Sequence, residues 1–492
     1  MAGTGEAAAA AAGEAVESAN ERRRTTMPPS PTISSDELRL RLGGGLHEPG
    51  SPEYEDACTL FNSMIEHRPR LVARCAAPED VVAALAYARE REMPVAVRAG
   101  GHSVTGLSLS RDGLTIDLRG IDAVEVDPQA RVARVGGGAT WGAVDRATQE
   151  HGLATTGGRV STTGVAGLTL GGGSGWLERK HGLACDNLLA AELVTADGRL
   201  VRASAEENPE LLWALRGGGG NFGVVTSLEL RLHPVGPEVY AGLIFHKLER
   251  APEVLTRWRD LMRDAPEELS LAFAYMSVAA DDEELPAELR GEQVAAIAGV
   301  YNGPAAEAEE AMRPLRELEA VADTFGPVPY ADFQCSIDDP PGYRNYWTAE
   351  QLPELSDEAI AAIHARALEM PGSTPQIFCV AWGGAVARHG SEHSPLAGRD
   401  TRFVIHPLML WDDPADDDRV IAWGRGFRDS LREFASGGSY LNFSSETDAR
   451  NVRAQYEGDS YARLAEIKAK WDPDDVFHGS GHVPPGGAGG TP

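Results

Sequence analysis

The stretch Pro94-Val95-Ala96-Val97-Arg98-Ala99-Gly100-Gly101-His102-Ser103 joins a β-like run to two glycines and a histidine. The chain contains 55 glycines in 492 residues, and three further clusters follow this one, at 136–138, 171–175 and 217–223. Glycine accepts positive φ and lets backbone N–H groups approach a ligand closely, as phosphate-binding loops require. A single cluster could be a tight turn. Four in one region favour a site where backbone amides hold an anionic ligand.

Two familiar phosphate motifs are excluded. The sequence contains no GxxxxGK[ST], so P-loop nucleotide hydrolysis has no support. Gly218-x-Gly220-x-x-Gly223 matches GxGxxG, but it follows a predicted helix and precedes a predicted strand. A Rossmann fingerprint has the opposite order, strand first and helix second. The context therefore excludes the NAD-binding interpretation.

The stretch 98–103 resembles the R-S/A-G-G-H signature of the vanillyl-alcohol-oxidase (PCMH-type) FAD-binding fold, and most closely the berberine bridge enzyme-like family. The resemblance covers roughly residues 65–485. Three further blocks agree with that family in order, and they are 164–187, 197–225 and 439–477. The resemblance implies that the chain binds FAD.

We expect an α+β fold. The resemblance implies a two-subdomain PCMH-type FAD-binding domain at 36–236, an α+β substrate domain with an antiparallel sheet at 237–437, and a C-terminal segment at 438–486 that returns to the FAD domain. Disordered tails are expected at 1–35 and 487–492. The pattern in the second domain agrees, because predicted strands alternate with long predicted helices. The strands are Val239–Phe245, Gln293–Tyr301, Gln376–Trp382 and Phe403–Trp411, and the helices include Glu307–Ala322 and Asp357–Met370.

His102 matches the family's histidine that is bonded to the 8α-methyl group of the flavin. Taken alone, it could equally be a core histidine after a turn. Many members add a second link through a cysteine, but Val160 stands at the matching position. The resemblance thus implies FAD held by a single covalent link through His102, with no cysteinyl link. It further assigns cofactor contacts to Arg98, Ala99, Gly100, Gly101, Ser103, Val104, Gly106, Val160, Thr162, Thr163, Gly164, Gly167, Leu168, Gly171, Gly172, Gly173, Gly175, Asp186, Asn187, Gly223, Val224 and Asn442.

Tyr440 matches the tyrosine of the family's Tyr-x-Asn motif, which implies the role of general base. A phenol has an ordinary pKa of about 10, so its neighbours would have to lower that pKa. The alternative is an aromatic side chain that packs on the flavin. Phe443 stands where the family often has a second hydroxyl or a carboxylate. Substrate contacts are predicted from polar–aromatic side chains that suit stacking but are also ordinary on a sheet face; they are Tyr330, Gln334, Tyr346 and Trp382.

The resemblance implies a FAD-linked oxidoreductase that transfers hydride from the C–H of a hydroxylated small molecule (a sugar, an alcohol or a secondary metabolite) to flavin N5. O2, giving H2O2, or another acceptor would reoxidise the flavin. Two alternatives stay open: a secondary-metabolite tailoring oxidase that performs oxidative cyclisation or amine or alcohol oxidation, and a flavin-binding protein without turnover.

The net charge of −29, from 45 basic and 74 acidic residues, argues against nucleic acid and anionic membranes as partners. No apolar run reaches the roughly 18 residues of a spanning helix. The five cysteines are scattered and form no CxxC pair, so neither a disulfide framework nor a zinc ribbon is indicated. A cytoplasmic protein is expected. The sequence carries no signal for the oligomeric state.

His478-Gly-Ser-Gly-His482 has the spacing of metal ligands. Flexible glycines separate the two histidines, and the motif itself contains no third ligand, so an ordinary loop is favoured. No metal site is expected.

Overall fold

The computed structural model describes residues 33–339, 341–372, 374–479 and 481–486. Most of the predicted tails, 1–32 and 487–492, lie outside the described residues, whereas Ser35 already begins the first helix. Within the described ranges no helix has the length and apolar character that crossing a membrane requires.

The N-terminal half contains two main sheets. Their orders are β1-β2-β4-β3 and β5-β6-β10-β8-β9, and β7 pairs with β11. The helices are α1 (Ser35–Arg41), α2 (Pro52–Cys58), α3 (Pro78–Glu90), α4 (Trp141–Gln149), α5 (Val165–Leu170), α6 (Glu178–His181) and α7 (Pro209–Leu215). The strands are β1 (Leu46–His47), β2 (Leu71–Arg74), β3 (Val95–Arg98), β4 (Leu114–Asp117), β5 (Val124–Asp127), β6 (Val132–Gly136), β7 (Leu153–Ala154), β8 (Leu188–Val194), β9 (Leu200–Ser204), β10 (Val224–Arg231) and β11 (His233–Pro234).

The residues before the histidine motif favour the helix and the strand that lead to it. Pro78 occupies the first turn of α3 with Glu79 and Asp80, where a fixed φ and negative charge both favour a helix start. After α3, strand β3 pairs in parallel with β4. The strand ends at Arg98, so the glycine pair and His102 lie directly after its carboxyl end.

The second half is built on one large antiparallel sheet. The strands are β12 (Glu238–Lys247), β13 (Leu269–Ser277), β14 (Gln293–Tyr301), β15 (Ala322–Asp323), β16 (Gly326–Pro329), β17 (Arg344–Trp347), β18 (Glu350–Leu352), β19 (Gln376–Ala381) and β20 (Phe403–Trp411). Their order in the sheet is β15-β12-β14-β13-β19-β20-β17, with β16 beside β12 and β18 beside β20. The helices are α8 (Ala251–Asp264), α9 (Ala305–Arg316), α10 (Tyr330–Cys335), α11 (Asp357–Ala367) and α12 (Asp417–Leu431). The mixed architecture confirms the predicted α+β class.

Two predicted helices are too long. The helix predicted at Glu307–Ala322 ends at Arg316, because Ala322 pairs with Phe245 at the edge of the sheet. The helix predicted at Asp357–Met370 ends at Ala367.

The two faces of the large sheet have different neighbours. Helices α8, α9, α11 and α12 cover one face with a core that includes Trp258, Met312, Ile363 and Phe427. Side chains of the other face pack toward the N-terminal half in a separate core, which includes Ala272 and Val380 of the sheet and Trp176 and Leu183 of the first half. Because neighbouring residues of a strand point to opposite faces, β19 and β20 each contribute to both cores.

The C-terminal segment forms α13 (Ala449–Ala454) and α14 (Ser460–Trp471). Leu464, Ile467 and Trp471 of α14 join the core of the N-terminal half. At the end of α14, Lys468 and Asp472 form an ion pair of 2.5 Å with both side chains fully buried. The Lys468 ammonium also donates to the carbonyl oxygens of Asn221 and Phe477. It therefore ties the C-terminal segment to the last glycine cluster.

Replacing Lys468 with methionine is expected to lower the free energy of unfolding by about 3–5 kcal/mol, because it leaves the Asp472 carboxylate buried without its countercharge. Chemical denaturation measures the change. Lys470→Met is the matched control. Lys470 pairs with Glu210 at the surface, with 60% of the lysine side chain exposed, so its loss should cost about 1 kcal/mol or less. Equal losses for the two variants would contradict the role given to Lys468.

Candidate active site

A cavity of about 310 Å³ lies between the loop after β3 and the face of the large sheet that is turned toward the N-terminal half. One wall is formed by residues 99–105 and by most of residues 158–168, which overlap the first and second motif blocks. The opposite wall, here called the sheet floor, consists of Trp347, Gln376, Phe378, Val380, His406 and Leu408. Tyr440, Asn442 and Phe443 of the C-terminal segment also line the cavity. All three predicted parts of the chain thus meet there.

The loop after β3 presents backbone donors to this cavity. None of the N–H groups from Gly100 to Val104 donates to an acceptor within the described residues. The loop approaches Gly164 so closely that a Cβ on Gly100 would lie 2.3 Å from the Gly164 nitrogen. A Cβ on Gly167, by contrast, would meet nothing within 4 Å. Unpaired amides beside open space fit the diphosphate of FAD, which such loops bind without a basic cluster.

His102 lies in the middle of this row of amides. Its ring stacks on Phe61 at 4.3 Å between centroids, Nε2 lies 2.9 Å from Thr162 Oγ1, and Nδ1 lies 3.4 Å from Thr163 Oγ1. Burial, together with the charge of Arg98, lowers the pKa of His102 to about 4. The imidazole is therefore neutral at pH 7 and retains a nitrogen lone pair, the form needed for a bond to carbon.

The glycine run 171–175 has a different role from the one expected of it. The Gly173 and Ser174 N–H groups donate to the Tyr440 hydroxyl oxygen at 2.7 and 3.0 Å. Gly172 has a φ of +121°, and a Cβ there would lie 2.9 Å from the Tyr440 ring. Burial raises the pKa of Tyr440 above the ordinary value. The run thus fixes the position of the Tyr440 hydroxyl, while burial keeps that hydroxyl a neutral phenol. Gly171, Gly172, Gly173 and Gly175 do not line the cavity.

His406 stands in the middle of the sheet floor. It lies opposite Phe378 in the register of β19 and β20, and its ring stacks on Phe443 at 4.0 Å with an interplanar angle of 8°. Nδ1 lies 2.9 Å from the Thr348 carbonyl oxygen, so Nδ1 carries the proton and Nε2 carries the lone pair. Among the described residues no group hydrogen-bonds to Nε2. Burial lowers the pKa of His406 to about 3, which keeps the imidazole neutral at pH 7.

A carboxyl group stands at the edge of the sheet floor. Gln376 Nε2 donates to Asp339 Oδ1 at 3.1 Å, and burial raises the pKa of Asp339 to about 6. Both residues line the cavity. Apart from this pair and His406, the sheet floor is apolar.

The structure brings together the predicted cofactor residues Ala99, Gly100, Gly101, His102, Ser103, Val104, Val160, Thr163, Gly164, Gly167, Leu168, Gly223 and Asn442, all of which line the cavity. Thr162 lies behind His102 and contacts its ring. Gly106 and Val224 do not line the cavity.

Three predicted cofactor residues instead make contacts within the protein. Arg98 donates to the carbonyl oxygens of Asp56, Ala57 and Thr59, so its guanidinium holds the end of α2. Both carboxylate oxygens of Asp186 accept from Arg399, at 2.7 and 2.9 Å. Asn187 donates to the carbonyl oxygens of His181 and Leu183.

None of the four residues predicted at the substrate lines the cavity. Tyr330 is fully buried. Gln334 donates to Asp145 Oδ2 at 3.1 Å. Trp382 packs edge-on against Tyr440 at 5.4 Å. Tyr346 lies on the helix-covered face of the sheet, with its hydroxyl 2.9 Å from Glu446 Oε1.

The sequence prediction missed His406, Phe378, Gln376 and Asp339. A signal existed for the first of these. His406 interrupts the otherwise apolar strand Phe403-Val-Ile-His-Pro-Leu-Met-Leu-Trp411, and a polar side chain in a buried strand needs a partner or a function. Asp339 belongs to a loop, where no such pattern exists.

Comparisons with known proteins agree with this arrangement. A family model described as FAD binding domain matches residues 69–204, and one described as berberine and berberine like matches residues 439–483. The (R)-6-hydroxynicotine oxidase of Paenarthrobacter nicotinovorans is 29% identical over 465 residues, which cover 91% of this chain and 98% of that protein. The FAD-linked oxidoreductase pgmH of Aspergillus terreus is 30% identical over 485 residues, covering 90% and 94%.

The solved structures support the same fold. The crystal structure of 6-hydroxy-D-nicotine oxidase from Arthrobacter nicotinovorans matches with a TM-score of 0.82 and 26% identity, covering 91% of this chain and 99% of that one. The resemblance proposed from the four motif blocks is therefore confirmed. The chain belongs to the berberine bridge enzyme-like family of FAD-linked oxidoreductases, with a PCMH-type FAD-binding fold.

Proposed function

We propose that this chain is an oxidase that removes hydride from a carbon bearing a hydroxyl or an amine, in a small apolar or aromatic molecule. One observation carries the proposal. A single cavity joins the unpaired amides and His102 on one side to an apolar sheet floor with one neutral histidine on the other. A substrate between these walls would lie close to the flavin ring. FAD supplies a hydride acceptor there and is reoxidised by O2 or another acceptor.

The chain's own residues have separate tasks in this proposal. The amides of 100–104 hold the diphosphate, and His102 forms the one covalent link, because Val160 offers no thiol. Trp347, Phe378 and Leu408 hold the substrate and exclude water.

Two residues, Tyr440 and His406, are candidates for accepting the substrate's proton. The resemblance assigns proton abstraction to Tyr440, but burial raises the pKa of its phenol, although the N–H donors of the glycine run act in the opposite direction. A phenol that keeps its own proton at pH 7 cannot accept another. His406 presents an unpaired Nε2 lone pair to the same cavity, so the geometry favours His406 as the acceptor and Tyr440 as a hydrogen-bond donor.

The apolar floor favours one alternative over sugar oxidation. Oligosaccharides need many hydrogen-bond partners, and the sheet floor offers only Gln376, His406 and the nearby Asp339 for this purpose. A secondary-metabolite tailoring oxidase that accepts an aromatic alcohol or amine agrees better with these side chains. The relationship to a nicotine oxidase supports an amine as one possible donor.

A substrate panel tests the proposal. Sugars, aliphatic alcohols, aromatic alcohols and aromatic amines are mixed anaerobically with the holoprotein, and bleaching of the oxidised flavin is recorded. We expect bleaching by aromatic alcohols or amines and none by sugars. Tyr346→Phe, whose ring lies behind the sheet, is the control and should bleach at the wild-type rate. If dithionite reduces the flavin but no panel member does, the alternative of a flavin-binding protein without turnover gains support.

A further inference from the structure

We propose that Asp475, His478 and His482 form a binding site for one divalent transition-metal ion of the Zn²⁺ or Ni²⁺ class. The three residues follow helix α14, and their ligand atoms lie within 4.8 Å of one another. The sequence motif His478-x3-His482 lacked a third ligand in its own segment. The turn at Asp475, which has a φ of +52°, brings a carboxylate to both imidazoles.

The distances agree with a tetrahedral metal. Asp475 Oδ2 lies 3.4 Å from His478 Nε2 and 3.1 Å from His482 Nε2. Zinc binds nitrogen and oxygen at about 2.0–2.1 Å, so neighbouring ligands of a tetrahedron are separated by roughly 3.3–3.4 Å. An ion could therefore contact one oxygen and two nitrogens after small side-chain movements. Its fourth position would be filled by water.

The second carboxylate oxygen already has a partner. Lys468 Nζ lies 3.1 Å from Asp475 Oδ1, which is also 3.0 Å from His482 Nε2, and Oδ2 lies within reach of both histidines. Hydrogen bonds of this kind orient ligating carboxylates in metal sites.

A second cluster of the same composition does not qualify. Asp186, His389 and His393 also lie within 4.8 Å of one another. Both oxygens of Asp186, however, accept from the guanidinium of Arg399, so a cation already occupies the position that a metal would need. This cluster provides an internal control of matched residue types.

The proposed site borders the cavity, because His478 and Gly479 line it. A bound ion would join both ends of this loop and hold the wall formed by His478 in place. The proposal is independent of the substrate and of the proposed reaction.

Titration calorimetry of the EDTA-treated holoprotein with ZnCl2 tests the site. We expect one ion per chain. His478→Ala and His482→Ala should each weaken binding at least about tenfold, since even outer-shell partners contribute ~10–100-fold to metal affinity. His389→Ala should bind zinc as the wild type does. His478 is 60% exposed at its side chain, so its loss should leave the fold intact, and circular dichroism verifies this.

Two outcomes would overturn the proposal. One is zinc binding by the wild type that is no stronger than that of a His478→Ala/His482→Ala double variant. The other is an equal loss of affinity in the His389→Ala variant, which would place the ion at the second cluster.

Discussion

His102→Ala is expected to abolish covalent attachment of the flavin. The wild-type protein should stay yellow after acid precipitation and should carry the mass of one FAD, whereas the variant should precipitate colourless with the mass of the polypeptide alone. The physical reason is that His102 is the cavity-lining residue whose neutral imidazole extends from the middle of the row of unpaired amides. The amides remain in the variant, so it should still bind FAD noncovalently with reduced occupancy.

Cys185→Ala is the control for this experiment. Cys185 is buried beside Asp186 and Arg399 and does not line the cavity. Its replacement should leave the whole covalent flavin in place, as expected for a protein with one link. Flavin that remains attached to the His102→Ala variant would show that another residue forms the link.

His406→Asn is expected to slow reduction of the flavin by about 10²–10⁴-fold, the usual contribution of a positioned general base. Asparagine can still donate to the Thr348 carbonyl oxygen, but it offers no basic nitrogen. Tyr440→Phe should have the smaller effect, because it removes a hydroxyl that already carries its own proton. Stopped-flow measurements with the panel member that bleaches the flavin compare the two variants. The opposite order of effects would return the role of base to Tyr440.

The pH dependence of the flavin reduction rate also distinguishes His406 from Tyr440 as the base. The pKa of His406 is lowered to about 3, so its basic form is fully present above pH 5 and the reduction rate should be constant from pH 5 to 8. Protonation removes the base only as the pH falls toward that pKa. A phenolate base with a raised pKa predicts instead a rate that rises about tenfold per pH unit over the same range, because the ionised fraction rises that steeply below a pKa of 10 or more.

Much of the flavin side of the site could be predicted from the sequence. Gly100, Gly101 and His102 form one contiguous motif, and their task depends on the backbone of a few consecutive residues. Gly164 belongs to a second such motif, and its contact with Gly100 explains why both positions lack a side chain. The glycines of 171–175 were predicted as part of the same cradle. Composition could not show that the N–H groups of Gly173 and Ser174 donate to a tyrosine more than 260 positions later.

The predicted substrate residue Tyr346 does not line the cavity, and the reason is geometric. Tyr346 and Trp347 are adjacent aromatic residues, and a strand sends neighbouring side chains to opposite faces. The sequence alone does not tell which face borders the cavity. In the structure Tyr346 packs under the helices and Trp347 lines the cavity, so the predicted residue was one position away from the one that lines it.

The sequence by itself determined the family and the α+β class, because short contiguous motifs and the alternation of strands and helices carry them; the residues that hold the cofactor stay a prediction from the same motifs. Only the tertiary structure decided the chemistry opposite the cofactor. His406 and Phe378 come from strands whose register brings them side by side, and Phe443 reaches His406 from the C-terminal segment. The protonation state of His406 in this wall depends on burial and on contacts between distant segments. Those contacts form only when the sheet packs against the N-terminal half.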